Sequence, residues 1–302
     1  MKKRSATPRG LDDRIFDAVS LTICVIMLIL VVYPLWYVII CSFSDPNAVT
    51  GGQVTIFPVG FTLEGYDTIL DYEPIWIGYR NTILYTFVGT AFNLLLTLPC
   101  AYALSRPDFK GRNLITMLFT FTMFFSGGTI PTYLVMKTIG AMDTIWAMIL
   151  PFAVNVMNLI IARTYFQNSV PYEIQEASMI DGCSNAKLFC RIVLPLSMPM
   201  VAVIMLYYMV THWNVYFRAL LYLSDPDKYP LQLYLRNILL FDQMLDLMEG
   251  DAEAIEAMTR RLQLRASIKY GIVVVSSLPV LIIYPLLQKY FAKGIMVGAV
   301  KG

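Results

Sequence analysis

The sequence is poor in charged residues and contains a single histidine, His212. Only 15% of its 302 residues are charged, whereas 57% are hydrophobic and the mean hydropathy is +0.61. That composition excludes an ordinary soluble domain. No histidines and cysteines stand at the spacing of a metal site, and no Gly-x-x-x-x-Gly-Lys-Ser/Thr loop is present to hold nucleotide phosphates. We therefore expect this chain to bind no metal, nucleotide or other cofactor.

Six long stretches without Asp, Glu, Lys or Arg dominate the sequence, and each contains 19 to 27 residues. About 20 apolar residues in a helix cross the roughly 30 Å hydrocarbon core of a bilayer. A transmembrane β-barrel would show short alternating segments instead. The prediction is an all-α membrane protein with six transmembrane helices. The expected spans are residues 16–43, 81–105, 113–136, 144–166, 190–217 and 270–289.

The distribution of Lys and Arg predicts the orientation of these helices. With the long fifth loop set aside, fourteen basic residues fall on one side of the membrane and two on the other. Basic loops stay in the cytoplasm, so both termini and the loop 167–188 are expected there. The first apolar stretch is longer than a signal-peptide core and is expected to remain as a span. Residues 1–13 then form a cytoplasmic arm, residues 14–302 one domain in the cell membrane, and residues 224–266 a long external loop.

A few polar side chains within the spans are candidates for a solute pathway. Asn155 and Asn158 lie three residues apart and so share one face of the fourth helix. A second polar group stands near the outer end of the fifth helix, at Thr211, His212, Trp213 and Asn214. Both groups suit a hydroxyl-rich solute such as a sugar. Both also suit a structural role, either hydrogen bonding between helices or an interfacial aromatic belt.

The third expected span contains a helix-breaking segment, Ser126-Gly-Gly-Thr129 followed by Pro131. Two interpretations stay open. The segment ends the helix at the outer interface, or it is a break within the membrane that lines a cavity, since unpaired backbone is tolerated at that depth only in such a place.

The loop 167–188 has the pattern of a docking surface between two membrane helices. Pro171 suits the first turn of a helix, and Glu173, Glu176 and Ala177 share one face of that helix. The small residues Ala177 and Ser178 allow another protein to approach the backbone closely. Gly182 supplies a left-handed stop. The alternative is an ordinary connecting loop at the membrane surface.

The same loop resembles the cytoplasmic loop of permease subunits of carbohydrate-type ATP-binding-cassette importers. That loop reads Glu-Ala-Ala, three residues, Gly, nine residues and Ile-x-Leu-Pro. Here Glu176-Ala-Ser-Met-Ile-Asp-Gly182 is followed after nine residues by Ile192-Val-Leu-Pro195, and only Ser178 departs in type. The resemblance extends over nearly the whole chain. The segment 126–133 is most similar to the subgroup that handles complex oligosaccharides such as aldouronates.

The resemblance implies a type I importer fold with a cytoplasmic coupling helix. It also implies a sugar or oligosaccharide importer in which this chain, itself not an enzyme, forms half of the pathway. The implied partners are a second homologous permease, two cytoplasmic ATPases that bind the ATP, an extracytoplasmic sugar-binding protein and membrane lipid, with no nucleic acid. For contact with the ATPase, the resemblance points to Glu176, Ala177, Asp181 and Gly182. Glu173 and Ser178 complete the candidate set.

An ion-coupled secondary transporter of a polar solute is the alternative. It would need charged groups within the membrane, and the six long stretches from which the spans are predicted contain no Asp, Glu, Lys or Arg. The external loop 224–266 has two further interpretations, a contact surface for the receptor or an amphipathic cap on the helix bundle.

Overall fold

The computed structural model describes residues 10–245, 268–283 and 285, and the regular structure of these residues is helical. The first helices in chain order are α1 (Leu11–Ser42), α2 (Pro46–Thr50), α3 (Glu64–Asp71), α4 (Glu73–Ser105), α5 (Arg112–Phe124), α6 (Thr129–Thr138) and α7 (Ile145–Ile149). They are followed by α8 (Val156–Ser169), α9 (Tyr172–Ile180), α10 (Asn185–Leu188), α11 (Leu194–Leu196), α12 (Met198–Trp213), α13 (Phe217–Tyr222), α14 (Leu231–Leu245) and α15 (Ile268–Ile283).

Two of these helices, α1 and α4, are each long and apolar enough to cross a membrane as one piece. Three further apolar regions consist of bent pairs, so the described residues contain up to five spans when each pair is counted as one. The apolar part of α15 is shorter than a full span, and residues 284 and 286–289 of the sixth expected span lie outside the described residues. Six transmembrane helices are therefore not confirmed.

Several expected boundaries are corrected. The second span was expected from residue 81, but α4 begins at Glu73, because Pro74 in its first turn favours a helix start. The fifth was expected as one span from residue 190, but residues 185–196 run at 85° to α12. A π-helical turn at Phe189–Val193 precedes that bend, and Pro199 lacks the N–H that would continue the helix across it.

The third expected span is interrupted where the sequence predicts a break. The helix α5 ends at Phe124, α6 begins at Thr129, and the two axes differ by 113°. Gly128 precedes α6 with φ at +88°, a backbone conformation that residues with a side chain rarely adopt. The predicted disruption is confirmed.

The fourth span is interrupted as well, although no break was expected there from the sequence. A 3₁₀ turn at Leu150–Phe152 follows α7, and the two halves of the span differ in direction by 56°. Pro151 stands in this turn, where it removes a backbone donor and prevents a straight helix.

The chain divides into two compact units, which are the described parts of residues 1–71 with 242–275 and of residues 72–241 with 276–302. In the first unit, the end of α1 packs on α2 through Ile40, Cys41 and Val49. In the second unit, α4, α8 and α12 share a core that contains Ala101, Phe166, Ile204 and Tyr208, all of them nearly inaccessible to solvent.

The contact between α4 and α12 depends on a glycine. A Cβ atom at Gly89 would lie 2.5 Å from Cε1 of His212, well inside van der Waals contact. Gly89 therefore lets the imidazole of α12 lie directly against the backbone of α4, and any larger residue there requires the imidazole or one of the helices to move.

Asn93 of α4 pairs the backbone of the interrupted fourth span. Its Nδ2 atom donates to the carbonyls of Phe152 and Ala153 at 2.7 and 2.8 Å, and its Oδ1 atom lies 2.6 Å from Nε2 of His212. Both Asn93 and His212 are fully buried. One amide thus satisfies two carbonyls that have lost their helical partners and joins three segments of the unit.

Two other side chains pair the same segment. The Tyr208 hydroxyl accepts the backbone N–H of Asn155 at 3.1 Å and shares a 2.7 Å hydrogen bond with Oγ1 of Thr97. Nη1 of Arg218 donates to the carbonyl of Met148 at 2.7 Å. Backbone groups at membrane depth must be paired within the protein, and α4, α12 and α13 supply these partners.

Loops expected on the same side of the membrane meet each other. Asp143 accepts the N–H groups of Ser224 and Asp225 at 3.0 and 3.2 Å and pairs with Nζ of Lys228 at 2.8 Å. The hydrogen bond from Lys228 holds the pKa of Asp143 below its usual value. On the opposite side, Nη1 of Arg106 donates to Oδ1 of Asn185 at 3.0 Å. These contacts agree with alternating crossings, whereas the direction, inside or outside, stays a prediction.

We predict that Asn93→Ala strongly destabilises the protein. The change leaves two carbonyls and an imidazole nitrogen unpaired in a buried site, and each such group costs about 1–3 kcal/mol. Thermal unfolding of the detergent-solubilised protein measures the effect. Asn214→Ala is the matched control, because Asn214 is exposed and its amide bonds only within its own helix. Equal unfolding temperatures for the two variants would contradict the assignment.

Candidate functional site

The candidate docking helix is α9, which begins directly after Pro171. Pro171 is the N-cap residue, with φ at −58° and ψ at 137°, rather than a residue of the first turn as the sequence suggests. Glu173 stands in the first turn, where a negative charge interacts favourably with the helix dipole. The short helix is thus started by proline and stabilised at its N-terminus by an acidic residue.

The two faces of α9 differ in exposure. Glu173, Glu176 and Ala177 are exposed, as their spacing predicts, and Ile180 at the end of the helix is 87% exposed. Asp181 and Gly182 continue this surface beyond the helix. We call these six residues the α9 surface. It presents three carboxylates and one large apolar side chain.

Ser178 does not belong to the α9 surface, which corrects the expectation that it offers a partner a close approach. The residue is buried, and its Oγ atom donates to the carbonyl of Ile174 at 2.7 Å. The reason is helical periodicity, because residues four apart share a face and Ile174 and Ser178 both face the protein. A small residue at 178 lets α9 lie close to its own chain.

Gly182 ends the helix in the left-handed conformation that the sequence predicts, with φ at +72°. The N–H of Gly182 donates to the carbonyl of Met179 at 3.0 Å, and the N–H of Cys183 donates to that of Ser178 at 2.9 Å. This pair of bonds is a Schellman motif. A Cβ atom at Gly182 would have no protein atom within 4 Å, so only the backbone conformation and any docked partner restrict the residue there.

The loop is fixed to the rest of its unit by buried contacts. Ser184 begins α10, its Oγ accepting the N–H of Lys187 at 3.4 Å, and Leu188 is fully buried in the core of α4, α8 and α12. Arg106 reaches Asn185 of this loop while Asp108 binds its guanidinium at 2.7 and 2.8 Å. The same pairing lowers the pKa of Asp108 and raises that of Arg106. The α9 surface is therefore carried by a rigid support.

The candidate pathway residues of the fourth span are used structurally. Asn155 is the N-cap of α8, and its Oδ1 atom accepts the N–H of Asn158 at 3.0 Å. Asn158 is buried at 6% exposure. The two asparagines are thus linked to each other at a helix start, rather than standing side by side on one helix face.

The four residues of the second candidate group, at positions 211–214, also make separate contacts. His212 is buried against Asn93, and the indole nitrogen of Trp213 donates to the carbonyl of Ser276 at 3.1 Å. Thr211 and Asn214 donate to carbonyls of their own helix at 2.8 and 2.9 Å. Of the six candidates, Trp213 lines a cavity of about 700 Å³ between α4, α12 and α15, whose walls are mostly apolar. The six side chains do not converge on one site, and their role in transport stays a prediction.

Three further residues hold this region together and were not expected from the sequence, namely Asn93, Tyr208 and Arg218. Asn93 carries the same signal as Asn155, an amide within an apolar span. Tyr208 and Arg218 carry none, because their partners are backbone groups, the N–H of Asn155 and the carbonyl of Met148, that lie 50 to 70 residues away beside the break.

Comparison with known proteins identifies the class. Residues 74–297 match the family model described as binding-protein-dependent transport system inner membrane component. The chain belongs to this family of membrane permeases, and it is a transporter subunit rather than an enzyme.

Its relatives cover nearly its full length. It is 39% identical over 292 residues to the polygalacturonan/rhamnogalacturonan transport system permease protein YtcP of Bacillus subtilis (strain 168), covering 97% of this chain and all of that one. It is 41% identical over 289 residues to protein LplC of the same organism, with 96% of each chain covered. A crystal structure of a bacterial ABC transporter involved in the import of the acidic polysaccharide alginate contains a similar chain. It has a TM-score of 0.85 and 33% identity, with 95% of this chain and 100% of that one covered. The type I permease fold expected from the resemblance is confirmed.

We predict that Gly182→Leu impairs coupling while the protein still folds. A left-handed conformation costs a branched residue about 1–2 kcal/mol, and the side chain would project into the open space beside the α9 surface. Gly182→Asn is the matched control, because Asn tolerates this conformation better than other residues with a side chain. ATP-driven transport in membranes at equal expression is the measurement. Full activity of the leucine variant would mean that the glycine has no part in docking.

Proposed function

We propose that this chain is the transmembrane permease subunit of an ATP-driven importer of a sugar or oligosaccharide, and that it forms half of the translocation pathway. Its partners are a second homologous permease, two cytoplasmic ATPases and an extracytoplasmic sugar-binding protein. The observation that carries the proposal is the α9 surface, an exposed group of acidic and small residues on a loop fixed to the membrane core.

The α9 surface has the chemistry of a protein contact. Its carboxylates suit a basic cleft, and exposed Ile180 supplies an apolar anchor at its end. Gln175 and Ser178 on the opposite face are buried in the chain's own structure. A partner that binds α9 is therefore bound to the membrane unit as well, so movement of the partner is transmitted to the helices.

The class of solute is inferred from the relatives. One transports polygalacturonan or rhamnogalacturonan according to its name, and others are transport permeases for arabinooligosaccharides and galactooligosaccharides. The similar chain of known structure belongs to an importer of alginate. Polymers and oligomers of sugars are common to all of them.

The direction of the chain in the membrane belongs to the same proposal. The loop containing α9 and the turn at Arg106 lie on one side, as their contact at Asn185 supports. With the ATPases in the cytoplasm, both termini are cytoplasmic, residues 1–13 are an arm and residues 14–302 are one permease domain. The external loop 224–266 would face the receptor. Its residues 246–266 lie outside the described residues.

The test is uptake of a labelled oligosaccharide into liposomes that contain the chain with its co-purifying permease and ATPases and with loaded receptor. We expect uptake to require both ATP and the ATPases. Glu176→Lys should reduce uptake and weaken ATPase binding, because placing like charges together at an interface costs several kcal/mol. Asp12→Lys is the matched control for charge reversal, since Asp12 is exposed and distant in sequence from the loop. Uptake without any ATPase, driven by an ion gradient, would refute the proposal.

A further inference from the structure

A groove of about 500 Å³ lies along one face of α5 and ends at Arg163 of α8. Its walls include Asn113, Thr116 and Thr120, the aromatic rings of Phe121 and Phe124, and the guanidinium of Arg163. The residues of α5 recur at helical spacing, so the groove follows the helix axis from the membrane surface to the break after Phe124. No residue of the α9 surface lines this groove.

This face is unsuited to contact with lipid. No residue of α5 is buried by the described parts of this chain, although the face carries an amide, two hydroxyls and, beside them, a full positive charge. Arg163 is hydrogen-bonded to Leu104, one residue before the end of α4, so its guanidinium lies towards the same membrane surface as Arg106. A polar ligand can therefore contact the groove at that end.

The charge of the groove selects an anion. Nε of Arg163 donates to the carbonyl of Leu104 at 3.1 Å, which fixes the side chain, whereas its two Nη atoms have no hydrogen-bond or ion-pair partner among the described residues. A guanidinium held in this way presents two parallel donors, the geometry that binds a carboxylate. Among the described residues that line the groove, none is acidic and could neutralise it.

The remaining walls suit a sugar. The hydroxyls of Thr116 and Thr120 donate to the carbonyls of Arg112 and Thr116 at 2.7 and 2.8 Å, so that their oxygens are left to accept hydrogen bonds from a ligand. Phe121 and Phe124 offer apolar ring faces to the C–H face of a sugar ring. The groove thus combines hydrogen-bond acceptors, aromatic ring faces and one group that can bind a carboxylate. This combination matches a uronic-acid unit better than a neutral sugar.

We propose that the α5 groove is a part of the translocation pathway and that Arg163 binds the carboxylate of an acidic, uronate-containing oligosaccharide as it passes. The inference rests on the proposed function and assigns to it a site and a charge selectivity. The Asn155 and His212 groups, which are used in internal hydrogen bonds, are then not the groups that select the solute.

The test compares an oligogalacturonide with its methyl ester, which retains the sugar rings and loses the negative charge. Uptake of each is measured in the reconstituted importer with receptor whose binding of each compound has been determined first. We expect Arg163→Gln to slow uptake of the acid on the order of 10- to 100-fold, the effect of losing a hydrogen-bonded charge, and to leave uptake of the ester unchanged. Arg163→Lys should restore part of the acid uptake. Arg112→Gln removes a charge near the start of the same helix but outside the groove, and should behave like the wild type.

Three outcomes would overturn the inference. If Arg163→Gln slows both compounds equally and lowers recovery of the second permease, the groove is a contact between subunits. If it slows neither, Arg163 does not meet the solute. If the wild type does not import the acid but imports the ester or another oligosaccharide with ATP, the acidic solute is wrong while sugar import stands. Uptake that needs no ATPase, by contrast, would refute the proposed function itself, and with it this inference.

Discussion

The structure depends on pairing the backbone of the interrupted fourth span. From the last turn of α7 to the start of α8, the carbonyls of Met148, Phe152 and Ala153 lose their helical partners, and the hydrocarbon of a membrane offers them no water. Asn93, Tyr208 and Arg218, from three other helices, pair this segment instead. These three polar side chains of α4, α12 and α13 therefore hold the bundle together.

The same packing places the α9 surface. Gly89 lets α12 lie against α4, the core they share with α8 buries Leu188, and Arg106 binds Asn185. These contacts leave α9 attached on its Ser178 face and exposed on its Glu176 face. A surface that is exposed but firmly held can transmit movement from a bound soluble protein to the membrane helices. A flexible loop could not, because it would absorb that movement.

Several features of the fold and of the candidate site could be predicted from the sequence, because they depend on local properties of the chain. Charge-free runs predict membrane helices, Gly127 and Gly128 predict the break after α5, and Gly182 predicts a left-handed helix end. What could not be predicted depends on tertiary contacts.

The face of α9 that is buried is decided by the core beneath it, and for this reason Ser178 was assigned to the wrong face. Asn155 is a cap rather than part of a polar wall, because Pro151 interrupts the helix immediately before it. Within the described residues, two spans are continuous and three are bent pairs of helices. The six continuous spans expected from the sequence rest on length and hydropathy, and neither of these reveals a bend.

The central claim is that the α9 surface, and not the opposite face of α9, binds a cytoplasmic ATPase. Ala177→Cys and Ser178→Cys, each in a chain whose five native cysteines are replaced, test it by the rate of labelling with a membrane-impermeant maleimide. In the permease alone, the thiol at 177 should react fast and the thiol at 178 slowly, because their side chains are exposed and buried, respectively. Addition of the co-purifying ATPase should protect 177 strongly and leave 178 unchanged. Labelling of 177 at the same rate with and without bound ATPase would contradict the account.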